Sequence, residues 1–164
     1  MNTFSDTQLR LAEETLTRAR SADLHIATAE SCTGGLIASL LTEIPGSSEV
    51  FDRGFVTYSN AAKIELLGVP EELIANHGAV SEPVARRMAQ GAMQHAHVQA
   101  AVAVTGIAGP GGGTAEKPVG LVHIAAARHG AQTYHEKHLF GDIGRGPIRM
   151  ASVEAALRLL LRLL

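Results

Sequence analysis

A three-layer α/β/α sandwich built on a mixed, mostly parallel sheet is the architecture to expect from these 164 residues. Segments with helical spacing of apolar residues alternate with short apolar runs of strand length, as in successive βα units. Glycine-rich stretches open directly from two of those runs. The last two strand-like runs flank His129-Gly130 as a hairpin, so the sheet should contain antiparallel as well as parallel pairs.

Leu9, Ala12, Leu16 and Ala19 recur at helical spacing after the cap candidates Ser5 and Asp6, which predicts an amphipathic helix over residues 6–20. Leu24 to Ala29 reads as a short buried strand. Cys32 to Thr42 continues as a helix closed by Pro45-Gly46, and residues 50–59, rich in Phe, Val, Thr and Tyr, read as a second strand. Asn60 is the expected cap of a helix running to about Leu67, with Gly68 ending it. Ser81-Glu82-Pro83 starts a further helix that apolar spacing carries to about His97. Ala101 to Val104 is the next strand, and it feeds Gly106-Ile107-Ala108-Gly109-Pro110-Gly111-Gly112-Gly113. Val119–Ala127 and Thr133–Phe140 form the hairpin, and residues 147–163 a last helix with Glu154, Arg158 and Arg162 along its wet edge. With no repeat and no linker in view, residues 1–164 are expected to form a single domain.

Composition narrows the function. Apolar residues make up 46% and charged residues 18%, ordinary values for a globular chain, while aromatic residues reach only 4% with no Trp. Alanine, valine and leucine must therefore fill the core. A net charge of -2 gives no dense basic face for a nucleic-acid backbone, so no nucleic-acid partner is expected. Leu157 to Leu164 is apolar but broken by Arg158 and Arg162 and too short to span a bilayer, so no membrane is expected either. The start of the chain lacks the basic and apolar regions of a signal peptide, and the single cysteine, Cys32, fits a reducing compartment. Cytoplasmic location is the expectation.

Chemistry concentrates at a few junctions. Thr28-Ala29-Glu30-Ser31-Cys32-Thr33-Gly34-Gly35 passes from strand into helix, where α/β folds place reactive groups beside free backbone N–H donors. Ser31 there is either a helix cap or a nucleophile; in the second role the neighbouring amides would hold an oxyanion, and Gly34 and Gly35 would let substrate approach. With Asn60 as cap, Lys63 falls at the third helical position, where the positive end of the helix dipole should lower its pKa and suit it to act as a base. A solvated surface lysine is the alternative. Tyr58 is either a proton donor and orienting partner or a core-edge tyrosine. Thr105 to Gly113 has the glycine content of a phosphate-cradling loop but lacks the Gly-Lys-Ser/Thr ending of a Walker loop. Arg145 and Arg149 are candidates for a phosphate clamp, or ordinary surface arginines. His95 and His97 face apart on a helix and His135 and His138 face apart on a strand, so no metal site is expected. Cys32 is the rival nucleophile, or a buried small residue.

Taken together, several ordered blocks resemble the nicotinamide-nucleotide amidase family, the C-terminal domain of the competence/damage-inducible protein CinA. They are Ala29-Glu30-Ser31-Cys32-Thr33-Gly34-Gly35, Pro45 with Gly46-Ser47-Ser48, Arg53-Gly54-Phe55-Val56-Thr57-Tyr58-Ser59-Asn60 with Lys63, His77-Gly78-Ala79-Val80-Ser81, and Thr105-Gly106-Ile107-Ala108-Gly109-Pro110 with Lys117-Pro118-Val119-Gly120. The resemblance implies hydrolysis of the carboxamide of nicotinamide mononucleotide to nicotinate mononucleotide and ammonia, in pyridine nucleotide salvage and without an organic cofactor or metal. The family's catalytic Ser, Tyr and Lys would fall on Ser31, Tyr58 and Lys63. Thr33, Gly34, Gly35, Ser48, Asn60, Thr105, Gly106, Gly109 and Arg145 are the expected substrate-binding set, and a homo-oligomer, a dimer by preference, the expected assembly. The sequence departs from the family pattern after Gly141-Asp142, where Ile143-Gly144 precede Arg145. It also resembles the stand-alone form, without the large N-terminal domain of full CinA proteins. Two alternatives stay open: a catalytically silent nucleotide-binding module, and an amidase using Cys32.

Overall fold

The computed structural model describes residues 3–164 and has the expected sandwich. Its five strands, β1 (Ile26–Glu30), β2 (Phe51–Val56), β3 (Ala100–Gly106), β4 (Leu121–Arg128) and β5 (Tyr134–Leu139), lie in the order β2-β1-β3-β4-β5. β1 pairs parallel with β2 and β3, whereas β4 pairs antiparallel with β3 and β5. Four strands therefore run one way and β4 runs against them, which is the mixed sheet with its parallel part at the centre.

Helices α1 (Asp6–Ser21), α2 (Leu36–Thr42) and α6 (Arg145–Leu161) cover one face, burying Leu16, Leu40, Ile148 and Leu157 against Ile26, Val102 and Ile124. Helices α3 (Asn60–Leu67), α4 (Glu71–His77) and α5 (Glu82–Ala96) cover the other with Leu67, Ile74, Val84 and Met88. The strand residues beneath this second layer are mostly alanines, among them Ala27, Ala29, Ala101, Ala103 and Ala125. Small side chains let the helices lie close to the sheet, as the shortage of aromatics requires. Ser5 caps α1 through a reciprocal bond with Gln8. Among the described residues no helix is long and apolar enough to cross a membrane.

Several boundaries differ from the sequence reading. α2 begins at Leu36 rather than Cys32, because residues 32–35 form a turn in which Gly34 and Gly35 take φ of +58° and +96°. Ser59, not Asn60, caps α3, its side chain accepting from the Ala62 N–H at 3.0 Å. α4 was not expected at all; Pro70 at its cap and Glu71-Glu72 in its first turn are the signals for it. α6 starts at Arg145, two residues earlier than expected.

Topology places the site. From β1 the chain moves outward to β2, and β3 returns on the opposite side of β1, so the carboxyl ends of β1 and β3 form the switch point at which open α/β sheets leave a crevice. Ser31 follows β1 directly. Its N–H donates to Val104 O at 3.0 Å, which ties it to the end of β3 beside Thr105.

Candidate active site

A pocket of about 200 Å³ opens at this switch point, and Ser31, Cys32, Tyr58, Asn60, Lys63, Ala79, Val80, Thr105, Gly106, Ala108 and Arg145 line it. Lys63 is the largest side chain buried beside it, at 1% exposure. Its Nζ donates to Ser31 Oγ at 3.0 Å, to Thr57 O at 2.7 Å and to Tyr58 O at 3.3 Å. In the neutral amine the two carbonyls take the two N–H groups, which leaves the lone pair directed at the serine hydroxyl. Burial pushes the Lys63 pKa down to about 8. The cause is not the one the sequence suggested: with Ser59 as cap, Lys63 is the fourth helical residue, and desolvation rather than the helix end lowers its pKa.

Ser31 is not a cap. α2 has Gly35 at its cap position with no side-chain bond, and its first amides are taken by Glu30, whose Oε1 accepts from Ile37 N–H at 2.9 Å and Oε2 from Ala38 N–H at 3.1 Å. Glu30 is fully buried, and sequence reasoning gave it no role. A carboxylate closing the turn that carries Ser31 was recoverable only as an acid just ahead of a helix start. The turn has a second tether: Arg149 Nε donates to Cys32 O at 3.0 Å and Nη2 to Thr33 O at 3.2 Å. Two of the Arg149 donors are thereby spent on the turn, a role that neither the phosphate clamp nor the surface arginine of the sequence reading offered.

Arg145 does reach the pocket. Nη1 donates to Gly109 O at 2.7 Å and Nη2 to the Tyr58 hydroxyl at 3.2 Å, and the side chain stays exposed at the mouth despite the inserted Ile143-Gly144. Tyr58 is 65% exposed, so it is neither a core-edge tyrosine nor a side-chain partner of Lys63; only its carbonyl touches the amine.

The remaining expected residues divide. Asn60, Thr105 and Gly106 line the pocket, and Thr105 Oγ1 donates to Ala79 O at 2.9 Å. Gly109 contributes its carbonyl to Arg145. Thr33, Gly34 and Gly35 form the turn behind Ser31, where the Gly34 N–H bends back to Ser31 O at 3.1 Å and is spent. Thr33 is buried, with no partner for its hydroxyl among the described residues. Ser48 does not join the site: it lies exposed in the 3-10 turn Ser47–Glu49 that leads into β2. Ala79 and Val80, which sequence reasoning missed, form a pocket wall.

Cys32 lines the pocket too, but burial raises its thiol to about 11, so it holds almost no thiolate near neutral pH. Among the described residues no three of His, Cys, Asp and Glu gather as a metal-ligand set. One histidine pair was not anticipated: His123 Nδ1 and His135 Nε2 lie 2.9 Å apart between β4 and β5.

Residues 8–164 match the family model described as the CinA C-terminal domain. A CinA-like protein of Syntrophobacter fumaroxidans is 54% identical over 147 residues, covering 90% of this chain and 34% of the relative. A CinA-like protein of Anaeromyxobacter sp. is 47% identical over 157 residues, covering 96% of this chain and 38% of the relative. The chain thus spans about a third of the length of the curated relatives it matches. The crystal structure of competence/damage inducible protein CihA from Agrobacterium tumefaciens superposes with a TM-score of 0.97 at 52% identity, covering 99% of both chains. A CinA superfamily protein from Escherichia coli superposes with a TM-score of 0.91 at 34% identity, covering 99% of this chain and 95% of that one.

Proposed function

The chain belongs to the CinA C-terminal domain family, and from that premise we propose that it is an amidohydrolase converting nicotinamide mononucleotide and water to nicotinate mononucleotide and ammonia. The observation that carries the reading is the buried Lys63 amine, 3.0 Å from Ser31 Oγ and oriented by two main-chain carbonyls. A lysine with its pKa near 8 holds roughly a tenth of its population as free amine at pH 7, enough to act as a general base.

Ser31 Oγ attacks the carboxamide carbon while its proton passes to Lys63. The N–H of Cys32, a residue of the pocket lining, donates to no other residue's backbone among the described residues and is the donor available to the oxyanion, with those of Thr33 and Gly35 unoccupied in the turn behind it. Collapse of the tetrahedral intermediate breaks the C–N bond, and ammonia leaves with the proton that Lys63 received from Ser31, which makes Lys63 neutral again, while the Tyr58 hydroxyl assists from the rim. Water then attacks the Ser31 ester with Lys63 again as base, which releases the acid and restores both residues. Arg145 stands at the mouth, where a nucleotide phosphate extending out of the pocket would meet its guanidinium. Salvage of pyridine nucleotides in the cytoplasm, by a homodimer, is the setting that accompanies this reaction.

The test is ammonia release from nicotinamide mononucleotide, with turnover expected at neutral pH and unchanged by a chelator. Tight binding of the nucleotide without ammonia release would make the chain a nucleotide-binding module instead.

A further inference from the structure

Three consecutive carbonyls in the segment that leads into one wall of the pocket each accept a hydrogen bond from a side chain. They belong to His77, the last residue of α4, and to Gly78 and Ala79 in the link to α5. Lys117 Nζ donates to His77 O at 2.6 Å, Ser81 Oγ to Gly78 O at 2.8 Å and Thr105 Oγ1 to Ala79 O at 2.9 Å. Ala79 and Val80 face the pocket, so these bonds hold the backbone of its wall.

Lys117 is the member of this set that comes from the connection between β3 and β4, residues 107–120, which the glycine-rich loop opens. The loop begins at Gly106 and Ala108, which also line the pocket, and Arg145 grips its near end at Gly109 O while holding the Tyr58 hydroxyl. At its far end a local turn fixes Lys117, whose N–H donates to Thr114 Oγ1 at 2.9 Å and whose carbonyl accepts from Thr114 N–H at 2.8 Å. Contacts therefore run round the mouth from Tyr58 through Arg145 to the loop, and from Lys117 across to the 77–80 wall and Thr105. Gly78 makes room for the last link: its φ is +77°, and a Cβ on it would lie 2.8 Å from Lys117 Nζ.

We infer that Lys117 is a positioning residue that straps the glycine-rich loop to the 77–80 wall and so sets the mouth of the pocket for its substrate. The inference rests on the amidase reading for its kinetic consequence. A loop held in place before binding spares the substrate the entropy of ordering it, so the strap acts on affinity. Ser31 and Lys63 make no hydrogen bond with Lys117, so losing the strap is expected to leave their geometry unchanged.

Two variants test the strap, Lys117→Met and Lys117→Arg, each checked for folding by circular dichroism. Losing one charged hydrogen bond should raise KM about tenfold in Lys117→Met with kcat within about threefold of wild type. Arginine can donate to the same carbonyl, so Lys117→Arg should return KM to within about threefold. An unchanged KM in Lys117→Met, a fall in kcat alone, or no rescue by arginine would overturn the inference. Hydrogen exchange reads the strap without any substrate: amides in 78–81 and 107–117 should exchange about tenfold faster in Lys117→Met, and equal rates overturn it. A wild type that releases no ammonia overturns the amidase reading, and exchange then still decides the strap.

Discussion

Lys63→Met should abolish turnover and, at neutral pH, make the protein more stable. Burial lowers the Lys63 pKa from 10.5 to about 8, so near pH 7 the folded protein holds a proton in a place that disfavours the charge. A shift of that size corresponds to about 3 kcal/mol of folding free energy. Losing the lysine leaves the buried Thr57 carbonyl without its donor, at a cost of about 1 kcal/mol, so the expected net gain is about 2 kcal/mol. For a chain of this size that raises Tm by roughly 4–8 °C. The pH dependence follows from linkage: between pH 8 and 10.5 the unfolded lysine is protonated and the folded one is not, so the wild type gains stability as pH rises through this window. The advantage of Lys63→Met should therefore shrink steadily from pH 8, cross zero at about pH 10 and be slightly reversed by pH 10.5, where only the lost hydrogen bond remains. Thermal melts of both proteins across that range are the assay. A Lys63→Met protein that is less stable at pH 7, by an amount independent of pH, would refute the desolvated lysine.

Other perturbations separate the remaining roles. In wild type, kcat/KM should rise with pH on a limb near 8, and Lys63→Arg should lose kcat nearly as completely as Lys63→Ala, because arginine does not deprotonate in proteins; near wild-type kcat in the arginine variant would remove Lys63 from the base role. Thiol alkylating agents at pH 7 should leave activity almost intact, since Cys32 is buried and its pKa is raised to about 11; rapid inactivation tracking modification of Cys32 would reopen the cysteine mechanism. Arg149→Met should lower kcat by roughly 10² with little change in KM, because it releases the turn bearing Ser31. A variant of Arg149 that changed KM alone would return that residue to substrate binding.

The sequence carried the layers and the place of the nucleophile, because both depend on patterns within one segment. Periodicity marks α1 and α5, and the apolar run before Ser31 marks β1. The misplaced features depend on contacts between segments. Nothing local shows that Glu30 reaches forward to Ile37 and Ala38, so the helix was started at the turn that Glu30 in fact closes. The arginine pair at 145 and 149 reads as one clamp from its spacing. In the fold Arg145 turns outward to Tyr58 and Arg149 inward to Cys32 and Thr33. Position in a helix draws attention to Lys63 in the sequence, whereas its chemistry comes from its burial on the inner side of α3, which an exposed-looking Asn-Ala-Ala-Lys stretch does not reveal. Ser48 belongs to a motif block in the sequence, but the turn at 47–49 keeps it away from the pocket.

Ser31 Oγ is the nucleophile in this account, and ammonia release from nicotinamide mononucleotide by Ser31→Ala tests that most directly. Removing a nucleophile should lower kcat by roughly 10⁴ or more, and the fold should survive, since Ser31 caps no helix. A folded Ser31→Ala protein that keeps more than about a tenth of wild-type kcat would contradict it.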